Sequence, residues 1–289
     1  MFIEEELDRY IYWIEERERI RTKKEEEGLD PPWTDDKILQ EYKFCQVFRD
    51  DDRTSRWFIE HMRDPLRMSP EVFMATVIFR WFNLIQTGET ILKYDLHTDW
   101  DPTIADVQIR KQNQWITGAY VIKSPDGLDK LQGIIRCINY MWYRKDEILE
   151  EVYNRMDSMQ KMWEYLVKFP FQGPFMAYEV VTDLSFTMFL KDATDRLTWA
   201  NAGPGAMRGL NRLTGRPLDF KKKSNDWVGE MNELYEICKL RLSPSILKSN
   251  RHAFELREIE GGLCEFDKYS RILKGEGRTR SKYVHNKSL

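Results

Sequence analysis

The chain is punctuated as a succession of helices, and that punctuation constrains its fold more than any other feature. Residues 4–27 combine strong helix formers with Leu7, Ile11, Ile14 and Ile20 at helical spacing, and Gly28 with the pair Pro31–Pro32 stops the run. Thr34, Asp35 and Asp36 read as an N-cap before a helix over Ile38–Phe44. Ser69 and Pro70 read as the cap and first turn of a helix over Val72–Ile85, aromatic-rich and therefore expected to be buried. Further helical runs are predicted over 128–143, 145–168, 175–190 and 206–214. The best strand signal is the triplet Tyr120, Val121, Ile122, closed by the turn sequence Ser124-Pro125-Asp126-Gly127. These signals predict an all-α chain, one compact helical domain over residues 1–289 with one or two lobes and no internal repeat.

Ten Trp, 15 Phe and 13 Tyr supply ample apolar surface for a core. No run approaches the roughly 18 apolar residues of a membrane span, so no membrane partner is expected. The opening MFIEEELDRY has no basic then apolar leader pattern, which predicts a cytoplasmic protein. Cys45, Cys137, Cys238 and Cys264 are far apart, and the four His are equally scattered, which argues against zinc; no metal and no cofactor are expected. The net charge of −3 excludes nucleic-acid binding by bulk charge alone. Charge is unevenly placed, however. Residues 1–30 hold 11 acids and 6 bases, whereas residues 268–289 hold seven bases and one acid. This basic tail reads either as a face for a polyanion or as a solvated, frayed terminus.

Several segments carry chemistry-bearing patterns. In Trp199–Arg212 a helical stretch ends, Gly203-Pro204-Gly205 turns, and a new helix opens. Backbone N–H groups at such an opening are unpaired and suit an anion, and glycine allows a phosphate to approach closely. Arg208, Arg212, Arg216 and Lys221–Lys223 surround the turn. This is the layout of a helix-hairpin-helix element on a DNA backbone phosphate, and equally of an ordinary helix–helix turn. The Gly-Lys-Ser/Thr ending of a nucleotide-binding loop is missing, so a triphosphate kinase built on this segment is not expected. In Arg257–Tyr269, Glu258, Glu260, Glu265 and Asp267 lie near Lys268 and Tyr269. If 263–272 is helical, Asp267 shares a face with Leu263 and Cys264. A carboxylate against an apolar face can act as base, nucleophile or cation stabiliser; the same acids also suit a salt-bridged surface helix.

Asp50, Asp51 and Asp52 lie among arginines and aromatics in Tyr42–Trp57, and an ion network fits better than a divalent cation, because three adjacent side chains cannot all face one point. Asn83 and Thr87, one turn apart on a helix among aromatics, would suit a base edge or simply a satisfied interior. Tyr178, Glu179, Thr182 and Asp183 follow a Gly173-Pro174 helix start. Glu179 and Asp183 would share a face, and burial of both would force one to hold a proton.

Read together, the stretches PWTDDKILQEYKFCQVFRDDDRTSRW, FRWFNLIQT, GAYVIKSP, FQGPFMAYEVVTDL, AGPGAMRGLNRLTGRP and GLCEFDKYSR with its GEGR tail, spanning residues 32 to 278, resemble one family. The chain is similar to the α-glutamyl/putrescinyl thymine pyrophosphorylases and to the helical domain of 5-hydroxymethyluracil DNA kinases. These proteins serve phage DNA hypermodification and are related to helix-hairpin-helix DNA glycosylases. The resemblance implies a glycosylase-like helical fold, double-stranded DNA with modified pyrimidines as partner, and a flipped base. It places Gly203 and Gly205 at DNA and Glu265 and Asp267 at the active pocket, with Glu260, Asn83 and Asp183 more loosely attached. Arg208, Arg212, Lys268 and Arg271 would line the DNA path, and Thr87, Tyr178 and Glu179 the base pocket. Two positions depart from the family pattern: Glu179 stands where Gln is usual and Gln46 where Asn is usual. The kinase portion is not among these stretches, so this chain is not expected to make the phosphate itself.

The implied reaction is displacement of pyrophosphate from 5-pyrophosphoryloxymethyluracil in DNA by an amine such as putrescine or an amino acid, with a carboxylate taking the amine proton. Two alternatives stay open: a DNA glycosylase that excises a bulky modified pyrimidine in antiphage defence, and a non-catalytic DNA-binding module.

Overall fold

A computed structural model describes residues 1–119, 121–222, 226–248, 252–277 and 282–283. In chain order its helices are α1 (Glu4–Arg21), α2 (Lys37–Glu41), α3 (Arg53–Phe58), α4 (Asp64–Leu66), α5 (Glu71–Phe82), α6 (Ile85–Lys93), α7 (Pro102–Ile109), α8 (Lys130–Trp142), α9 (Lys145–Arg155), α10 (Met159–Leu166), α11 (Pro174–Leu184), α12 (Pro204–Leu213), α13 (Val228–Arg241), α14 (Pro244–Leu247) and α15 (Leu256–Leu273). Among the described residues there is no strand, so the all-α expectation holds. Val121 and Ile122 lie in irregular backbone, and Ile122 is buried as a single apolar anchor rather than as part of a ladder. Tyr120, which opened the predicted strand, lies outside the described residues. No described helix is long and apolar enough to cross a membrane.

The helices divide into two compact units, residues 1–52 with 200–289, and residues 53–199. In the first, α1 carries Glu4, Glu5 and Glu6 in its opening turn and Arg19 and Arg21 in its last, which complements the helix dipole. Its buried stripe, Leu7, Tyr10, Trp13, Ile14 and Ile20, faces the core. Tyr10 packs edge-on against Phe266 of α15 with ring centroids 5.4 Å apart. Asp36 caps α2 by accepting from the N–H groups of Ile38 and Leu39, and also accepts from the Tyr269 hydroxyl at 2.7 Å. The helix ends at Glu41 rather than Phe44, as Tyr42 turns into extended backbone. A Glu255–Glu258 capping box starts α15.

In the second unit, every residue of α5 from Val72 to Phe82 is buried. The helix ends earlier than the predicted Ile85, because Asn83 takes a left-handed conformation (φ 45°). The predicted run 145–168 is two helices. Ser158 caps the second through the Lys161 N–H, and the Asp195 carboxylate accepts from the N–H groups of Met159 and Gln160 at 2.6 and 2.9 Å. The helix α11 stops at Leu184, and the Ser185 hydroxyl donates to Thr182 O at 2.7 Å.

Candidate functional site

In the first unit the site is the crossing of α12 and α15. Along α15, Glu260, Leu263, Cys264 and Asp267 recur at helical spacing on one face, and that face meets α12. A Cβ on Gly205 would lie 3.1 Å from Cys264 Cβ and 3.3 Å from its Cα. One on Gly209 would lie 2.9 Å from the carbonyl carbon of Leu263 and closer still to its oxygen. Glycine is therefore what lets these two helix backbones touch.

The close approach brings three groups together. The Gly203 N–H donates to Glu260 Oε1 at 3.1 Å, so the anion place expected at the start of α12 already holds a carboxylate of this chain. Asp267 is 1% exposed. Its Oδ2 accepts from Arg208 Nε and its Oδ1 from Arg212 Nε, both at 2.8 Å. Arg212 Nη2 donates to Glu276 at 2.6 Å. Arg212 is thus buried, with its guanidinium paired to two acids of the protein, Asp267 and Glu276. Arg208 differs. Its side chain is 40% exposed, and among the described residues its hydrogen bond is the one from Nε to Asp267. Asp267 therefore fixes the guanidinium plane and leaves its outer edge toward solvent.

The other acids and bases named from the sequence have fixed partners. Glu265 accepts from the Cys45 N–H at 2.9 Å and from Lys268 Nζ at 3.1 Å, and Lys268 also donates to Lys43 O at 2.5 Å. Arg271 is half-buried on the last turns of α15. Of the basic tail, Lys268 and Arg271 belong to α15, Lys274 pairs with Glu6 at 2.8 Å and Lys282 with Glu41 at 2.6 Å. The acidic start of the chain neutralises part of the tail. Arg278, Arg280 and Lys287 lie outside the described residues, as does Lys223 of the cluster near Gly203.

Asp50–Asp52 form the expected ion network. Asp50 pairs with Arg257 at 3.3 Å, Asp51 with Arg21 at 3.5 Å, and Asp52 accepts from the Gln46 N–H at 3.1 Å. No group of three potential metal ligands converges among the described residues. Burial pushes the Asp52 carboxyl up to about 6; the Gln46 N–H and Arg17 oppose the shift, Glu265 adds to it, and Arg49 again opposes it.

The second unit holds the residues expected to meet a base. Arg80 is buried on α5 and donates from Nε and Nη2 to the two oxygens of Asp183 at 2.5 and 2.9 Å. Its Nη1 donates to Asn83 Oδ1 at 2.7 Å. Asn83 and Asp183 are thus joined through an arginine that the sequence reading did not single out. Thr87 belongs to the next helix rather than lying one turn from Asn83 on a shared one. Its hydroxyl is 2.7 Å from Trp115 O and 3.0 Å from Gln112 Oε1, so it is satisfied internally. Tyr178 is buried and meets Trp199 edge-on at 5.8 Å, while Glu179 beside it is part-exposed.

The model of the family described as "5-hmdU DNA kinase, helical domain" matches residues 4–279. A 5-hmdU DNA kinase of Bacillus phage SP10 is 27% identical over 289 residues, covering 91% of this chain and 44% of that protein. The chain thus spans under half the length of that curated relative. No solved structure matches.

Proposed function

Because the chain belongs to the family of 5-hmdU DNA kinase helical domains, we propose that it works on 5-hydroxymethyluracil, or a derivative of it, within DNA. The observation that carries this reading is the family match across residues 4–279. In the first unit, the outer edge of Arg208 takes a DNA phosphate, and Asp267 acts as the positioning residue that aims it. Gly205 and Gly209 serve the DNA contact indirectly, by setting the helix crossing that carries Arg208. The second unit receives the extruded base, and its Arg80 holds Asn83 and Asp183 together as a fixed internal network.

The finer reading concerns the reaction. The substrate carries pyrophosphate on its 5-hydroxymethyl oxygen. An amine nitrogen bonds to the methylene carbon as the carbon–oxygen bond breaks, and pyrophosphate leaves with the electron pair. A carboxylate takes the amine proton. Asp267 and Asp183 each have both oxygens on arginines, whereas Glu260 and Glu265 are part-exposed.

The test incubates the chain with duplex DNA containing 5-pyrophosphoryloxymethyluracil and putrescine, followed by mass spectrometry of the nucleosides. An aminated thymidine is expected. Abasic sites would overturn displacement in favour of base excision. Equal binding of modified and unmodified DNA, with no product, would overturn the substrate assignment itself.

A further inference from the structure

Gln172 is 0% exposed, yet among the described residues neither its side-chain oxygen nor its side-chain nitrogen has a hydrogen-bond partner. A buried amide left unmet on both sides is costly, and native proteins almost always satisfy such groups or use them. Its surroundings strengthen the point. Phe171, the preceding residue, has φ 59°, a left-handed conformation that is an outlier for a bulky side chain. That twist sends Phe171 outward, 45% exposed, and Gln172 inward. The turn is flanked by aromatics. Phe169 meets Tyr165 edge-on at 5.3 Å and Tyr140 at 6.3 Å, and Phe175 is exposed at the start of α11. The Trp163 indole N–H donates to Pro174 O at 2.9 Å and so pins the far side of the turn.

We propose that Gln172 reads the hydrogen-bonding edge of the pyrimidine, and that the strained Phe171 turn is the element that yields to admit it. An amide offers one donor and one acceptor in a plane, and the uracil imide offers the complementary carbonyl and N–H. The two groups can pair through two parallel hydrogen bonds. Entry of the base moves Phe171, which relieves its backbone strain and leaves an exposed ring to stack on a neighbouring base. The protein carries an unmet amide in the free state, and the base satisfies it. This inference rests on the proposed substrate, a 5-substituted uracil in DNA.

The test uses the full chain and its Gln172→Leu and Gln172→Met variants, which keep side-chain volume and remove both polar atoms. Thermal melting is measured first. Binding is then compared between a duplex with one 5-hydroxymethyluracil and the same duplex with a tetrahydrofuran abasic analogue at that position. Both variants are expected to melt at or above the wild-type temperature. Wild type should prefer the base over the analogue, and the variants should lose about tenfold or more of that preference while binding the analogue as before. If both variants melt far lower or fail to fold, the amide has a partner inside the protein and the inference is overturned. An unchanged preference overturns it as well, and leaves the substrate assignment standing. Wild type without any preference overturns the substrate assignment, and this inference with it.

Discussion

Replacing Asp267 with Asn distinguishes a positioning carboxylate from a chemical one. The substitution preserves shape and removes the charge beneath two guanidinium groups. It also sets a side-chain N–H or a weaker acceptor against donors that Asp267 meets at 2.8 Å on each oxygen. A hydrogen bond to a charged group contributes about 1.5–3 kcal/mol, and this carboxylate receives two. Arg212 keeps Glu276, and Arg208 regains some hydration at its exposed side, so the net loss is about 2–4 kcal/mol. At about 2–4 °C per kcal/mol, Tm should fall by roughly 5–15 °C. Fluorescence anisotropy on duplex DNA over a salt series reads the second effect. If Arg208 takes one phosphate and Asp267 aims it, the slope of log affinity against log salt should fall by about 0.9 in Asp267→Asn and in Arg208→Ala alike. In the double variant it should fall no further. An unchanged Tm, or a second drop in slope on the Arg208→Ala background, would refute the positioning role.

Gly209→Ala should cost about 3 kcal/mol or more in chemical denaturation, because its Cβ meets Leu263 backbone that cannot retreat without parting the helices. Gly229→Ala, with nothing among the described residues within 4 Å of the new Cβ, should be neutral or stabilising by up to about 1 kcal/mol. Asp183→Leu should cost about 3–5 kcal/mol by leaving Arg80 buried without its carboxylate, and the Arg80→Met/Asp183→Leu pair should recover most of it; equal losses in both would refute the buried pair. Asp52 has a folded pKa raised to about 6, so the native state binds more protons than the unfolded chain between about pH 4 and 6, and this group's contribution falls as pH rises through that window. Asp52→Asn should therefore raise Tm relative to wild type at pH 8 and lose that advantage by pH 4, and a gain independent of pH would contradict the shift.

Much of the fold is legible in local signals. Asp36 and Gly203 stand at helix starts because short polar or flexible residues fit there, whereas the start at Ser158 falls inside the single run predicted over 145–168. The α13 helix is not among the predicted runs: its buried stripe, Met231, Leu234 and Cys238, is diluted by charged neighbours. The helix end at Asn83 was not legible, since a non-glycine left-handed residue has no reliable sequence mark. In the first unit, the sequence offers the hairpin glycines and the acids of 260–267 as two separate segments, which the crossing of α12 and α15 packs together. It gives no sign that Arg212 would be buried between Asp267 and Glu276, because pairing across 55 and 64 residues is set by the tertiary crossing. In the second, no local signal marks Arg80 or Gln172; the placement of Asp183 and the twist at Phe171 give them meaning.

The most direct test of the account is an equilibrium titration of the chain with two duplexes that differ only in one base, 5-hydroxymethyluracil or thymine, at one fixed salt concentration. The account predicts about tenfold or greater preference for the hydroxymethylated duplex. Equal affinity for the two would contradict it.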